Sequence, residues 1–338
     1  MEFDILDDFR KRISQNSTAM CDKSYNEAVR RNEVLTKPLG SLGRLEEIAL
    51  WYTGWRCGES SGPKNMRVII FAGNHGIARH GVSAFPTEVT CQMVSNFRNG
   101  GAAINQLANL FGAQLSIYEM NDLKPTKDFT VDEAMTEDEC CKALSFGWQQ
   151  ITGEEDLLVI GEMGIGNTTS AAAMSCAIFN GDAEDYTGRG TGVDDTAMQK
   201  KISVVKNGIL RHHTNDPCDV LKCLGGYEIA AMVGAIAAAN KFRIPVILDG
   251  FINCAAASVL FAMRKDALDH CVAGHMSGEY GHATVLKQLG KVPLLSLGMR
   301  LGEASGGCLS IAIIQAAMRC FDGMYTFEQA DVSNRLVE

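Results

Sequence analysis

Short, unbroken apolar runs that end at or beside a glycine recur along the chain, and they limit its fold more than any other feature. Residues 67–73, for example, read RVIIFAG. A run of this length without polar alternation is typical of a strand that is buried on both faces. The predicted strands lie at residues 67–73, 114–118, 156–161 and 244–250, and a weaker candidate lies at residues 292–297.

The stretches around and between the predicted strands carry apolar residues at helical spacing. Strands that alternate with helices indicate a parallel sheet joined by right-handed crossover connections. We therefore predict an α/β fold, with a parallel, Rossmann-like sheet flanked by helices. Ligands bind such sheets beyond the carboxyl ends of the strands, so the residues that directly follow each strand are the candidates for a site. The predicted helices lie at residues 24–34, 42–57, 87–97, 102–111, 170–178, 198–210, 226–241, 283–289 and 310–320.

The charge balance argues against several kinds of partner. The 338 residues carry a formal net charge of −9, and no Lys/Arg cluster offsets it. Such a surface repels the phosphates of nucleic acids and anionic lipids, so we expect neither a nucleic-acid nor a membrane partner. The apolar stretches are shorter than the roughly 20 residues of a membrane helix, and the acidic start of the chain is unlike a signal peptide. These features predict a cytoplasmic protein.

The 12 cysteines are scattered along the chain and form no C-x-x-C motif. Extracellular domains that depend on disulfides are shorter and denser in cysteine. Cys176, Cys254 and Cys308 lie in alanine-rich runs with helical character, where a reduced cysteine behaves as a small core residue. The sequence therefore predicts cysteines that are mostly reduced and buried.

A glycine-rich turn follows the third predicted strand. Residues 161–170 read GEMGIGNTTS and lead into an alanine-rich helix. Glycines let the backbone approach an anion, and hydroxyls at the start of a helix add donors beside its free N–H groups. The pattern indicates a phosphate-binding turn, although a plain strand-to-helix turn with a Thr/Ser cap would look the same. It is not the dinucleotide fingerprint, because Thr169 stands where the third glycine is required.

Two glutamates stand in glycine-rich surroundings. Glu162 lies inside the turn after the third strand, and Glu303 lies in residues 298–307, GMRLGEASGG. A carboxyl group that is removed from water has a raised pKa, as a general base near neutral pH requires. For Glu303, the alternative is a glutamate at the start of a helix, stabilised by the helix dipole.

Two lysines and a histidine complete the set of candidates. Lys200 and Lys201 follow a second glycine-rich loop at residues 188–195, where a lysine could neutralise a phosphate or simply face solvent. His75 comes directly after the first predicted strand and is a candidate for the wall of an active site.

A possible metal site is weaker. His275, Glu279 and His282 have the i, i+4 and i+7 spacing of one helix face, which could ligate a metal. Three glycines interrupt the same stretch and argue against a stable helix, and the chain has no H-E-x-x-H motif. We therefore predict no metal.

Taken in order, these motifs resemble those of the nicotinate-nucleotide–dimethylbenzimidazole phosphoribosyltransferase family. The resemblance extends from about residue 20 to about residue 320. The motifs that carry it are residues 36–45 (TKPLGSLGRL), 74–76 (NHG), 81–83 (GVS), 161–169 (GEMGIGNTT), 248–251 (LDGF) and 299–306 (MRLGEASG).

The resemblance implies a reaction and an architecture. The phosphoribosyl group of nicotinate mononucleotide would pass to a nitrogen of 5,6-dimethylbenzimidazole, giving α-ribazole 5′-phosphate and nicotinate without a metal or cofactor. The family's members are homodimers. Their smaller helical domain is built from both chain ends, which correspond here to residues 1–62 and 304–338, beside an α/β domain of residues 63–303.

The resemblance also assigns roles to residues. Glu303 would be the general base that takes the azole proton, and Glu162 would stabilise charge at C1′ or hold the ribose. Lys201, rather than Lys200, matches the lysine beside the phosphate. The 5′-phosphate itself would be cradled by Gly164, Gly166, Asn167 and Thr168.

Phe85 and Met93 fall in the segment that lines the acceptor base in the family. Both favour a flat apolar acceptor, which could also be another benzimidazole, a purine or a phenol. Two other readings of the chain remain. An NAD-dependent oxidoreductase is disfavoured by the missing third glycine. A non-catalytic nucleotide-binding protein is disfavoured by two glutamates in intact motifs.

Overall fold

The strands form one parallel sheet, as the alternation of apolar runs and helices predicts. The structure, a computed structural model, describes residues 2–15, 18–58, 61–190 and 192–333. Within these ranges the sheet has the order β2-β1-β3-β4-β5, and every neighbouring pair is parallel. The strands are β1 (Met66–Ala72), β2 (Gln114–Glu119), β3 (Leu157–Met163), β4 (Val246–Leu248) and β5 (Cys271–Ala273).

The strand order reverses beside β1. The chain adds β2 on one side of β1 and then places β3, β4 and β5 on the other side. At such a reversal the connections leave in opposite directions, and a crevice opens beyond the carboxyl ends of the two central strands. The sheet topology thus places a ligand site beside Ala72 and Met163, the last residues of β1 and β3.

Helices cover both faces of the sheet. Because successive side chains of a strand point to opposite faces, β1 contributes Ile69 and Phe71 to one core and Val68 and Ile70 to the other. The described helices are α1 (Leu6–Gln15), α2 (Asp22–Val34), α3 (Arg44–Trp55), α4 (Glu88–Arg98), α5 (Ala103–Phe111), α6 (Glu137–Gln149), α7 (Asn167–Phe179), α8 (Ala183–Tyr186), α9 (Asp195–His212), α10 (Pro217–Leu224), α11 (Tyr227–Lys241), α12 (Phe251–Met263), α13 (Tyr280–Leu289), α14 (Ser305–Leu309) and α15 (Ile311–Gly323).

The two ends of the chain meet in the core on the α3 side of the sheet. The Arg31 guanidinium in α2 donates to the carbonyl oxygens of Phe321 and Asp322, and Leu35 pairs with Thr326 in an antiparallel bridge. Helix α1 lies in the other core, together with α6, α11 and α12. A separate helical domain of residues 1–62 and 304–338 stays a prediction.

The fifth strand is not where the sequence predicts it. Residues 292–297 form only one isolated bridge, between Leu295 and His275. Pro293 has no N–H to donate to a ladder, and the ends of the run, Val292 and Leu297, are exposed. The observed β5 is only three residues long, too short for its pattern to stand out.

The other predicted strands and helices are confirmed to within a few residues at each end. Helices α1, α6, α8, α10, α12 and α14 are not among the predicted helices. In the described part of the chain, no helix combines the length and apolar character that crossing a membrane requires.

Candidate active site

A cavity of about 800 Å³ opens beyond the carboxyl ends of β3, β4 and β5. Each of these strands supplies polar side chains directly after its last residues, including Asn167 after β3, Asp249 after β4 and His275 after β5. The turn before α14 supplies Glu303, and the start of α4 forms part of the wall. The cavity therefore meets the predicted position at β3 and extends from there toward β4 and β5, away from β1.

Two glycines bring Glu162 and Glu303 together. Gly302 has a φ of 82°, and a Cβ added there would lie 2.6 Å from Oε1 of Glu162. A Cβ added to Gly161 in β3 would lie 2.6 Å from the Cβ of Ala304. A larger residue at Gly161 would push the turn away from β3, and one at Gly302 would be strained by the positive φ and would displace the Glu162 carboxyl group. The glycines that precede the two glutamates thus allow both carboxyl groups to line one cavity.

The carboxyl groups in this cavity are held away from water. Burial, and then the charge of the fully buried Asp249, raise the pKa of Glu162 to about 8, although the side-chain amide of Asn167 donates to Oε2 of Glu162 and opposes the shift. Burial and Asp249 raise the pKa of Glu303 to about 7. Glu303 is therefore poised to accept a proton near neutral pH.

Asp249 is fixed beneath the turn that carries Glu303. Its Oδ1 accepts a hydrogen bond of 2.7 Å from the backbone N–H of Gly307 and lies 3.5 Å from Nε2 of His275. In the sequence, Asp249 is recognisable only as part of a motif, and His275 only as a candidate metal ligand. The signal that could have found both is their position directly after predicted or short strands.

The predicted phosphate-binding turn leads into α7. Gly166 is the residue before the helix, and Gly164, Asn167 and Thr168 line the cavity. The first turn of the helix lies at this side of the cavity with the positive end of its dipole, and the backbone N–H groups of Asn167 and Thr169 donate to the carbonyls of Gly164 and Gly166. The turn therefore combines the features of an anion site.

Lys201 lies directly behind this turn, whereas Lys200 is exposed. The fully buried ammonium of Lys201 donates to Oγ1 of Thr168 over 2.8 Å and to the carbonyl of Gly188 over 3.0 Å. Burial lowers the pKa of Lys201 to about 8. Lys201 is therefore mostly charged at neutral pH, and an incoming dianion would favour the charged form further.

His75 lies behind the turn and does not form part of the cavity lining. Its Nε2 is 2.6 Å from Oε1 of Glu228, its Nδ1 is 3.0 Å from Oγ of Ser170, and both members of the His75–Glu228 pair are buried. A Cβ added to Gly166 would lie 3.3 Å from the Cβ of His75. His75 therefore supports the turn from below.

The apolar wall comes from α4 and the residues before it. Phe85 precedes the helix, while Val89 and Met93 are one turn apart and face the cavity together. Val89 was not predicted, although its i, i+4 spacing from Met93 could have revealed it. Phe85 is 52% exposed, so it stands at the rim, where a flat ring could stack on it.

The stretch considered as a metal site is not one helix face. Helix α13 begins at Tyr280, so His275 and Glu279 precede it and only His282 lies within it. The Glu279 carboxylate accepts from the backbone N–H of Gly190 and thereby holds the second glycine-rich loop. Among the described residues, no group of three His, Cys, Asp or Glu side chains could hold a metal ion.

The chain is similar to known phosphoribosyltransferases. A family model described as phosphoribosyltransferase matches residues 18–332. The nicotinate-nucleotide–dimethylbenzimidazole phosphoribosyltransferase of Ruegeria pomeroyi is 57% identical over 307 residues, which cover 91% of each chain. The present chain belongs to this family.

Further phosphoribosyltransferases of the family are similarly related. The enzyme of Cereibacter sphaeroides is 56% identical over 308 residues, which cover 90% of this chain and 91% of that enzyme. The crystal structure of the enzyme from Thermus thermophilus superposes with a TM-score of 0.86 at 33% identity, covering 94% of this chain and all of that one. The chain is accordingly an enzyme of the pentosyltransferase class.

The raised pKa of Glu162 predicts that this buried carboxyl group makes the folded enzyme less stable as pH rises. The folded state keeps a proton that the unfolded state loses above its pKa of 4.5, so stability falls as pH rises from 4.5 to about 8. Glu162→Gln should therefore raise the free energy of unfolding by about 2–4 kcal/mol near pH 8 and change it little near pH 5. Urea denaturation at both pH values measures this.

The matched control for this prediction is Glu154→Gln, which alters an exposed glutamate in the loop before β3. It should change stability by less than about 0.5 kcal/mol at either pH. A Glu162→Gln variant whose stability changes equally at both pH values would show that Glu162 is ionised in the folded protein.

Proposed function

We propose that this chain transfers the phosphoribosyl group of nicotinate mononucleotide to 5,6-dimethylbenzimidazole or a related lower-ligand base, in the assembly of the cobamide nucleotide loop. The products are α-ribazole 5′-phosphate and nicotinate. One observation carries the proposal: an anion-binding turn, two carboxyl groups with raised pKa and an apolar wall line the same cavity.

Glu303 is the general base in this proposal. One azole nitrogen attacks C1′ of the ribose while the Glu303 carboxylate takes the proton from the other nitrogen. The bond from C1′ to the pyridinium nitrogen breaks, and its electron pair stays on that nitrogen, so nicotinate needs no proton to leave. The pKa of about 7 leaves a large fraction of Glu303 ionised at neutral pH, as this step requires.

Glu162 and Asp249 stabilise the positive charge that develops at C1′. The donor itself carries a pyridinium cation, and its field lowers the pKa of Glu162 from the value of about 8 in the free enzyme. A carboxylate that is already fixed and shielded from water stabilises an oxocarbenium-like transition state without reorganising. Asn167 keeps the Glu162 carboxyl group in place by its hydrogen bond.

The 5′-phosphate is assigned to the turn formed by Gly164, Gly166, Asn167 and Thr168. Lys201 supplies the positive charge behind it, through Thr168. His75 holds the turn in position from below. The charges of the cavity are thus separated. Its carboxyl groups face the reacting carbon, whereas the helix end and the lysine face the phosphate, so a cavity rich in carboxyl groups can still bind a phosphate.

The acceptor base is assigned to the wall of Phe85, Val89 and Met93. An aromatic ring and a thioether favour a flat apolar molecule, and neither side chain offers a hydrogen bond that would demand one particular base. The wall is therefore compatible with 5,6-dimethylbenzimidazole and with other flat acceptors.

Several expectations accompany this proposal. The reaction as written uses no metal or cofactor, and we propose the homodimer and the cytoplasmic location that the sequence analysis predicts. The NAD-dependent oxidoreductase and the non-catalytic nucleotide-binding protein are not favoured, because the relatives are named as phosphoribosyltransferases.

Glu303→Gln should harm the chemical step more than binding. General-base catalysis contributes about 10²–10⁴-fold, so kcat should fall by about that factor, while the dissociation constant of nicotinate mononucleotide changes only a few-fold. In the wild type, kcat/KM should fall in two steps as pH drops, near pH 8 where Glu162 becomes protonated and near pH 7 where Glu303 does, and Glu303→Gln should remove the lower step. Steady-state kinetics across pH measure both effects.

The comparison variant is Glu162→Gln, which should lower kcat but keep the lower step of the pH profile. If Glu303→Gln retains nearly full kcat and Glu162→Gln abolishes it, the two roles are reversed.

Lys201→Ala should weaken binding of nicotinate mononucleotide by about 1.5–3 kcal/mol, the contribution of a charge-assisted interaction. Lys200→Ala removes an exposed neighbour and should have little effect. Wild-type binding should weaken as pH rises above about 8, where Lys201 loses its proton, and Lys201→Ala should lack this dependence. Titration calorimetry measures the affinities. Equal losses in the two variants would place the phosphate elsewhere.

Phe85→Ser should change the choice of acceptor without changing donor binding. Loss of the ring at the rim removes stacking, so the ranking of kcat/KM among benzimidazole, adenine and phenol should shift. The control is Leu110→Ser, which alters a side chain that is 72% exposed and lies in α5 outside the cavity lining. An acceptor ranking that stays the same in Phe85→Ser would contradict the assignment of the wall.

A further inference from the structure

Two cysteines meet where α2 begins and α3 ends. Cys21 directly precedes α2, and Cys57 follows α3 by two residues. The backbone N–H of Cys21 donates to the carbonyl of Gly54 in the last turn of α3, with an N···O distance of 3.0 Å. The two thiols lie close enough to interact: a Cβ added to Gly58, the residue after Cys57, would lie 3.3 Å from Oγ of Ser24, which itself contacts the Cys21 sulfur. Residues far apart in sequence are thus held as a thiol pair by the packing of two helices.

The surroundings of Cys21 favour its thiolate. The hydroxyl of Ser24 lies 3.3 Å from the Cys21 sulfur and donates to it, and the backbone N–H groups of Ser24 and Lys23 point the same way at the start of α2. These donors lower the pKa of Cys21 below its usual value. A thiolate, rather than a thiol, is the nucleophile in cysteine chemistry.

Cys57 has the properties of the second member of such a pair. The residue as a whole is exposed, so a reagent can reach it. Partial burial of its sulfur nevertheless raises its pKa. Arg56 and Arg243 are the cations that face it. It would therefore stay a thiol while Cys21 reacts, and attack afterwards.

The other cysteines differ from this pair. Cys140, Cys254 and Cys271 are fully buried, and burial raises the pKa of each, as the sequence predicts for core residues. Cys91 is exposed and offers a comparison within the same chain.

We propose that Cys21 and Cys57 form a redox-active pair that is oxidised to a disulfide by hydroperoxides. The Cys21 thiolate attacks the peroxide oxygen, the O–O bond breaks, and an alcohol or water leaves with a proton, giving a sulfenic acid on Cys21. The sulfur of Cys57, losing its proton, attacks the Cys21 sulfur, and the hydroxyl leaves as water. Two thiols are oxidised, and one peroxide is reduced. Exchange with a dithiol reverses the change.

The disulfide would link the start of α2 to the end of α3. Cys57 lies near the amino ends of the central strands, since the neighbouring Arg56 pairs with Asp156 just before β3, whereas the cavity lies beyond the carboxyl ends. Oxidation should therefore change the stability of the helix pair, by restricting the unfolded chain, and leave turnover nearly unchanged. This inference does not depend on the proposed reaction.

The test is oxidation of the reduced, full-length enzyme by hydrogen peroxide. Free thiols are blocked under denaturing conditions, and peptides are mapped by mass spectrometry. The expected product is a linked Cys21–Cys57 peptide that a dithiol removes, formed about tenfold faster than Cys91 is oxidised. The melting temperature of the oxidised protein should rise by a few degrees.

Three variants separate the roles of the residues. Cys57→Ser should accumulate a sulfenic acid on Cys21 that dimedone traps, Cys21→Ser should lose the rapid reaction, and Ser24→Ala should slow it several-fold. Cys91→Ser should behave as wild type. The proposal is overturned if Cys21 reacts no faster than Cys91, or if the linked peptide joins other cysteines.

Discussion

The close approach of the turn at residues 302–304 to strand β3 is the constraint on which the site depends. The contact is possible because two glycines have no side chain. Ala304 lies against Gly161, and the carboxyl group of Glu162 lies against Gly302. Glu303 and Ala304 both adopt left-handed backbone conformations there. Such conformations cost free energy in residues other than glycine and persist only where the surroundings hold them. Here the packing of the turn against β3 offsets that cost, and as a result two carboxyl groups line one cavity.

Those carboxyl groups oppose folding and serve the chemistry for the same physical reason. Burial and the common neighbour Asp249 make ionisation of Glu162 and Glu303 unfavourable in the empty enzyme. A cation in the cavity removes most of that penalty, and the gain is greatest when positive charge has built up at the reacting carbon. Burial of the carboxyl groups thus lowers the stability of the empty enzyme and, by the same electrostatics, stabilises the transition state.

Much of the fold could be predicted from the sequence, because buried parallel strands leave long apolar runs and most helices keep their period. The short β5 could not, since three residues carry no pattern. Motifs pointed to Glu162 and Glu303, which line the cavity, and to Lys201 behind the turn, and the roles of all three stay predictions. The buried pair of His75 with Glu228 and the contact of Asp249 with Gly307 depend on residues more than 50 positions apart, and only the folded chain reveals them.

The charges of the cavity also bear on the order of events. Nicotinate mononucleotide is an anion at its phosphate and a cation at its pyridinium ring, which complements a site with Lys201 at one part and Glu162, Asp249 and Glu303 at another. In the proposed reaction, nicotinate leaves without the ring cation, and Glu303 then holds a proton. The attraction that favoured the donor is then gone, while the phosphate of the product still contacts the turn before α7. We infer that nicotinate leaves readily and that release of the phosphorylated product, held through Thr168 and Lys201, is the slower step.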